Sequence, residues 1–229
     1  MHLNADFTQS ALVRPQDGQW IPSPSAGVER WMLDRVGDEV ARATSLVRYA
    51  PDSHFPRHTH AGGEEYLVLD GIFSDESGDY GPGHYVRNPV GTAHAPFTKA
   101  GATILVKLWQ FQAGDDQPVS IDTRNATFQA GRTPGVSSLS LHGYGEEKVS
   151  LIRFAPGTSV PRHDHPGGEE IYVIEGDLVD EHGTYPQGSW LRRPHASRQG
   201  HKTQGGCLLF VKSGHLFPDA ATLADPSQR

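Results

Sequence analysis

The sequence predicts an all-β protein built from two similar domains in tandem. Residues 45–89 align without gaps to residues 150–194 at an offset of 105, with 22 of 45 positions identical. Gly 26 and Pro 17 are spread along the 229 residues, and no long stretch shows helical periodicity. Such a composition is typical of short strands joined by turns. A repeat of this length indicates a duplicated domain, because solenoid units are shorter and more numerous.

The boundary between the repeats is predicted at a polar segment with turn residues, 113–118. The first predicted domain, residues 1–116, consists of an N-terminal arm and the first repeat. The second, residues 117–229, consists of the second repeat and a C-terminal tail.

The first repeat contains a candidate metal site in the segment His58-Thr59-His60-Ala61-Gly62-Gly63-Glu64. A His-x-His pair on a strand places both imidazoles on one face, because side chains alternate with a period of two. Glu64 follows a short glycine turn and begins an apolar run, 66–69, that predicts the next strand. Two imidazoles and a carboxylate suit a first-row divalent metal. Polar residues at a strand end are the alternative, and the surrounding motifs count against it.

Those motifs resemble the two conserved motifs of cupins. Glu64 is followed after six residues by Gly71, and a second motif is formed by Gly83, Pro89, Gly91 and His94. The resemblance implies a jelly-roll β-barrel, that is, a double-stranded β-helix, in each repeat. It also implies inward-facing metal ligands, which here are His58, His60, Glu64 and His94. Asp52 stands where the first motif usually has glycine, in a predicted turn where aspartate is also favoured.

The second repeat keeps only part of this ligand set. His163, His165 and Glu169 occupy the positions of the first three ligands, whereas Gln199 occupies that of His94 and Ala196 that of Gly91. Glutamine can coordinate through its carbonyl oxygen, although that oxygen is neutral and harder than an imidazole nitrogen. The expected second site is therefore formed by His163, His165, Glu169 and Gln199. His195 or His201 could replace Gln199 if the loop rearranged.

The residues in and around the motifs resemble the ChrR cupin-like family more specifically. This similarity lies in residues 58–71, 73–80, 85–89 and 94–97. In that family such domains form the C-terminal half of zinc anti-sigma factors, and relatives include dioxygenases that cleave acetylacetone or dihydroxyacetophenones. The resemblance implies a bicupin that binds a divalent metal. Zinc and iron are the expected metals, and nickel and manganese are the alternatives. A sigma-factor partner is not expected, because the chain has one cysteine and no helical region before its first cupin.

The sequence leaves three functions open. The protein is expected to be a metal-binding bicupin that binds a small molecule in a stress-sensing or regulatory role. The alternative is a non-haem Fe(II) dioxygenase that cleaves a β-diketone or hydroxy-ketone. A metal that only stabilises the barrel is the third. No residue of the sequence specifies a substrate.

Composition and charge exclude several other classes. The formal net charge of −7 argues against a nucleic-acid surface, which requires a basic face. No apolar run approaches the length of a membrane span, and the N-terminal segment has no features of a secretory signal. The single Cys207 lies in an apolar run and is expected to be a buried structural thiol. These features favour a soluble, cytoplasmic protein, and the edges of barrel and arm strands make a homodimer plausible.

Charged residues that recur in both repeats are expected to be structural. Three pairs of cations occupy equivalent positions: Arg48 and Arg153, Arg87 and Arg192, and Lys107 and Lys212. Each pair is expected to form a shared salt bridge or to lie on a strand with its charge in solvent. The acidic pairs 75–76 and 180–181 are expected to carry the charge of a hairpin loop.

Overall fold

A computed structural model describes residues 1–228 of the chain. Its strands in the first half are β1 (His2–Leu3), β2 (Ala11–Val13), β3 (Ile21–Pro22), β4 (Val28–Gly37), β5 (Ala41–Tyr49), β6 (Ser53–His54), β7 (His58–Thr59), β8 (Glu64–Gly71), β9 (Phe73–Asp75), β10 (Gly78–Tyr80), β11 (His84–Asn88), β12 (Ala93–His94), β13 (Phe97–Thr98), β14 (Ala102–Leu108) and β15 (Val119–Asp122). Those in the second half are β16 (Gln129–Ala130), β17 (Val136–Tyr144), β18 (Glu147–Phe154), β19 (Ser159–His165), β20 (Glu169–Asp180), β21 (Gly183–Pro186), β22 (Trp190–Arg193), β23 (Ser197–Lys202) and β24 (Cys207–Ser213).

Helical structure is confined to four short 3-10 turns in the described part of the chain. These are Pro15–Asp17, Thr123–Asn125, Ala221–Leu223 and Pro226–Gln228. The all-β prediction is therefore confirmed. No helix within residues 1–228 is long and apolar enough to cross a membrane.

The chain divides into two compact units that are not simple halves of the sequence. Within the described residues, the first unit contains residues 1–5, 19–125 and 221–228, and the second contains residues 6–18 and 126–220. A linear division at residue 116 differs from these units in the segments 6–18, 117–125 and 221–228. The reason is strand pairing: β2 lies beside β22, and β15 lies beside β11.

The first unit consists of a large sheet and two smaller ones. Strands of the large sheet follow the order β1-β4-β5-β14-β8-β11-β15, with β3 added beside β4. The second sheet has the order β10-β9-β13-β6, and β12 pairs with β7. Alternating residues of β8 and β14, Tyr66 with Val68 and Ile104 with Val106, enter one buried cluster together with Phe73 of the smaller sheet. The unit thus encloses its apolar core between sheets.

The second unit repeats this arrangement. Its main sheet has the order β16-β17-β18-β24-β20-β22-β2, while β19 pairs with β23 and β21 with β20. Alternating residues of β20 and β24, Ile171 with Val173 and Leu209 with Val211, form the centre of its core. Cys207 is 5% exposed at the edge of this core, as expected for a structural thiol.

Two of the recurrent cations are buried in salt bridges, whereas Arg48 is exposed and pairs with Glu29. Arg87 binds Glu65, with 2.9 Å between Nη1 and Oε2, and Lys212 Nζ lies 2.9 Å from Glu147 Oε1. Both cations are completely buried, so they do not extend to solvent.

The departure at Asp52 is accommodated by backbone geometry. Asp52 adopts a left-handed conformation with φ 58°, and the equivalent Gly157 has φ 75°. Aspartate tolerates this region better than most residues, so the turn keeps its shape without glycine.

Candidate metal centre

Four predicted ligands of the first unit converge on one point. His58 and His94 face each other across the pair β7–β12, His60 follows β7, and Glu64 begins β8. One nitrogen or oxygen from each residue lies within 4.8 Å of those of the others. Glu64 Oε1 is 3.4 Å from Nε2 of both His60 and His94. The structure therefore brings together all four residues that the sequence predicts.

Two of the imidazoles are oriented through Nδ1 by pure hydrogen-bond acceptors. His58 Nδ1 lies 3.0 Å from the carbonyl oxygen of Pro56, and His94 Nδ1 lies 3.0 Å from Asp75 Oδ2. A carbonyl or an ionised carboxylate only accepts, so each Nδ1 carries the proton. Each Nε2 is then a free lone pair, which is the form that binds a metal.

The third imidazole is oriented by a hydroxyl with the same result. His60 Nδ1 lies 2.9 Å from Thr92 Oγ1, whose own hydrogen is donated to the carbonyl of Pro89 at 2.7 Å. Thr92 therefore accepts from His60, and Nε2 of His60 is also a lone pair. Nε2 of His60 and of His94 are buried and have no hydrogen-bond partner within the described residues. Orphaned lone pairs around one carboxylate fit a divalent cation.

The pKa values of the ligands reflect this environment. Burial lowers the pKa of His60, with Glu64 opposing and the neighbouring imidazoles adding to the effect. Burial also acts to lower the pKa of His94, but the hydrogen bond to Asp75 and the charges of Glu64 and Asp75 outweigh it and raise the pKa. Burial acts to raise the pKa of Asp75, and the hydrogen bond from His94 is the main influence that lowers it instead. Asp75 therefore stays ionised beside His94.

The glycine turn between His60 and Glu64 is required by close packing. A Cβ on Gly62 would lie 2.0 Å from Trp109 Cδ2, and one on Gly63 would lie 2.3 Å from Phe111 Cδ2. Trp109 itself adopts φ 59°, an unusual conformation for a bulky residue. The aromatic rings close over the turn and hold the two ligands on either side of it.

A cavity of about 330 Å³ adjoins this centre. His58, His60 and Glu64 form part of its wall. The other lining residues are largely apolar and include Val28, Val47, Phe55, Phe73, Ile104 and Trp109. Arg30 adds one cation to the lining, and Glu39 adds one carboxylate. The arrangement offers a metal at the wall of an apolar chamber large enough for a small organic molecule.

Three residues of this centre were missed by sequence reasoning. Asp75 was expected to carry hairpin charge, and that interpretation is wrong because its carboxylate orients His94. Asn88 donates from Nδ2 to Glu64 Oε1 at 3.2 Å. Trp109 covers the glycine turn. The recurrence of Asp75 as Asp180 was the only signal for its role in the sequence, and no signal marked the other two.

In the second unit three ligand-type residues converge, two from the expected set and one from its named alternatives. His165, Glu169 and His201 have ligand atoms within 4.8 Å of one another. Gln199 faces His163 across β19–β23, as His94 faces His58, and His163 lies outside that group. His201 takes part because it lies two residues after Gln199 on one strand and so shares its face. Burial acts to raise the pKa of Glu169, and the nearby His165 and His201 rings lower it.

Solved structures similar to this chain share its fold. A proposed dioxygenase from Nostoc punctiforme has 16% identity and a TM-score of 0.69, covering 97% of this chain and 85% of its own. The bacterial pirin YhhW from Escherichia coli, solved with nickel(II), has 12% identity and a TM-score of 0.67, covering 90% and 98%. Oxalate decarboxylase from Bacillus subtilis, described for its Mn(II) centres, has 13% identity and a TM-score of 0.62, covering 90% and 78%. At these identities the likeness shows the fold alone.

The family of the chain follows from its sequence. Among curated proteins, none matches this chain. The model of the ChrR cupin-like domain matches it twice, at residues 8–112 and 116–217. The two matches cover nearly the whole length and confirm two tandem cupin barrels. The chain therefore belongs to the ChrR cupin-like family.

Proposed function

We propose that the first barrel is the functional centre and that it is a metal-dependent dioxygenase site. The observation that supports this most directly is the position of His58, His60 and Glu64 on the wall of a largely apolar cavity. A metal that only stabilised the barrel would need no chamber beside it. The substrate class that fits is a small, mainly apolar molecule with oxygen atoms able to chelate, such as a β-diketone or hydroxy-ketone.

The residues around the metal would bind, orient and shield the substrate. His58, His60, Glu64 and His94 would hold the metal, and a bound iron ion would supply the redox chemistry. Apolar side chains exclude water from the chamber and favour an apolar substrate. Arg30 lines the same cavity, and its cation would stabilise negative charge on a bound enolate.

The test is oxygen consumption by the full chain. Protein stripped of metal is loaded anaerobically with Fe(II), and oxygen uptake is recorded with a panel of β-diketones and hydroxy-ketones. Uptake that disappears in His60→Ala and persists in His165→Ala is expected, since only His60 belongs to the first centre. Absence of uptake with every substrate by fully loaded protein would refute the dioxygenase proposal.

A regulatory role is the second candidate, and membership of the ChrR cupin-like family favours it. In that role the same cavity would bind a small molecule without turnover and change the affinity for a partner. Tight zinc, ligand binding and no oxygen uptake in the experiment above would select this role. The choice of metal, a homodimer and a cytoplasmic location stay predictions from the sequence, as does the expectation that a sigma factor is not the partner.

A further inference from the structure

One position beside the metal-binding carboxylate differs in charge between the two barrels. Asn88 is paired with Glu64 across β11–β8, and Arg193 is paired with Glu169 across β22–β20. The two positions are equivalent at the offset of 105. The first barrel therefore presents a neutral amide to its carboxylate, and the second presents a guanidinium.

The guanidinium of Arg193 lies among the atoms that would bind a metal. Its Nη1 is 3.2 Å from His201 Nε2 and 3.6 Å from Glu169 Oε1. Its Nη2 is bound to Asp180, the equivalent of the residue that orients His94 in the first barrel. The side chain is 5% exposed, so protein surrounds it on nearly every side.

We propose that Arg193 takes the place of the metal cation in the second barrel and that the chain consequently holds one divalent metal, in the first. A guanidinium has five N–H donors and no acceptor, so Nη1 of Arg193 can only donate to His201 Nε2. An imidazole nitrogen has one lone pair, and a lone pair that accepts from Arg193 is not available to a metal. A zinc–nitrogen bond is about 2.0–2.1 Å, which leaves no room for a second cation within the 3.2 Å contact.

The hydrogen bonds that orient the ligands in the first barrel are also changed in the second. His165 turns Nδ1 toward Glu169 Oε2 at 3.2 Å, whereas the equivalent His60 turns Nδ1 away to a threonine hydroxyl. Ser197 stands in the place of that threonine, and its buried Oγ has no hydrogen-bond partner within residues 1–228. Glu169 is thus neutralised by protein groups, which is the role of the cation in a metal site.

Metal stoichiometry of the unmutated protein is the first test. Chelator-stripped protein is titrated with Co(II), and bound metal is counted by absorption and by elemental analysis. One tight equivalent per chain is expected, and none in the double variant His58→Ala/His60→Ala. Two tight equivalents, or one that survives in the double variant, would overturn the proposal. This test does not depend on any enzymatic activity.

Substitutions at Gln199 and Arg193 separate the effect of the guanidinium on metal binding from the effect of the missing histidine. Gln199→His alone is expected to leave one equivalent, because the guanidinium is still present. Gln199→His combined with Arg193→Asn is expected to give a second equivalent. A second equivalent in Gln199→His alone would show that the missing ligand, and not Arg193, excludes the metal.

The reciprocal change provides a matched variant in the first barrel. Asn88→Arg is expected to weaken Co(II) binding at least ~100-fold, the upper end of what changes around metal ligands typically cause. Far-ultraviolet circular dichroism and thermal unfolding identify variants that do not fold. If the exchange variants fail to fold, two tight equivalents in the unmutated protein would still overturn the proposal.

Discussion

The hydrogen bond between Asp75 and His94 predicts a measurable part of the metal affinity. Asp75 Oδ2 accepts from His94 Nδ1 at 3.0 Å, whereas the other two Nδ1 atoms bind a carbonyl and a hydroxyl. Asp75 therefore supplies the one ionised partner among the three imidazoles. Asp75→Asn keeps the size of the side chain and an oxygen that can accept, but it removes the charge that makes His94 a stronger base.

We expect this substitution to weaken metal binding by ~10–100-fold, the usual effect of losing an outer partner of a ligand. At about 1.4 kcal/mol for each factor of ten, the loss corresponds to about 1.4 to 2.8 kcal/mol. The side chains of His94 and Asp75 are only 6% and 7% exposed, so solvent screens their interaction weakly. The upper half of that range is therefore expected.

The assay is competition with a chromophoric chelator, which gives the dissociation constant for Zn(II) or Co(II). Asp79→Asn is the matched control, because Asp79 lies in the same hairpin and binds Ser74 Oγ at 2.6 Å. It removes the same charge without a contact to His94. If Asp75→Asn and Asp79→Asn bind metal equally well, the reasoning from the hydrogen bond to affinity is refuted.

Three further results are expected. Metal should be lost from the first barrel as the pH falls, because protons compete for the imidazole lone pairs and the pKa of His94 is raised. Dialysis with chelator at about pH 4, below the ordinary histidine pKa, should remove it. Gly62→Ala should lower the free energy of unfolding in urea by about 1–3 kcal/mol, since the new Cβ would meet Trp109 at 2.0 Å. Lys212→Met should lower it by about 3–5 kcal/mol, because Glu147 then remains buried without this cation.

Each result has its own contrary outcome. Metal content that stays unchanged at low pH would count against ligation by imidazoles. Gly81→Ala is the control for the glycine, because its Cβ would meet only the flexible end of Arg124 at 3.4 Å, and equal losses in both variants would contradict the packing argument. Lys202→Met removes an exposed lysine, and it should change the stability little compared with the buried one.

The ligands of the first centre could be predicted from sequence because their positions are set by local rules. The spacing of two residues places His58 of β7 and His60, just beyond it, on one side, and the glycine turn brings Glu64 back beside them. The fourth ligand needed the family resemblance, since nothing local links His94 to residue 58. The duplicated fold was equally accessible, because an ungapped offset of 105 survives in the chain itself.

The second centre depended on the tertiary structure. The offset identifies Gln199 as the equivalent of His94, and strand pairing keeps that backbone position, but the offset does not predict that His201 lies 3.4 Å from Glu169 Oε1. Side-chain direction and length decide which group reaches the centre, and backbone equivalence does not contain that information. The replacement of Asn88 by Arg193 was visible in the alignment, but its meaning required the contact with Glu169.

The hydrogen-bond partners of the ligands and the composition of the two units also depended on the tertiary structure. Asp75 lies 19 residues from His94, and only the pairing of distant strands makes them neighbours. Segments 6–18 and 117–125 likewise join their units through hydrogen bonds of β2 and β15 to distant strands. The sequence by itself determined the repeat, the strand pattern and the first ligand set, since these depend on local periodicity and motif spacing. Tertiary structure decided which distant groups meet, because that choice depends on register, packing and charge around each side chain.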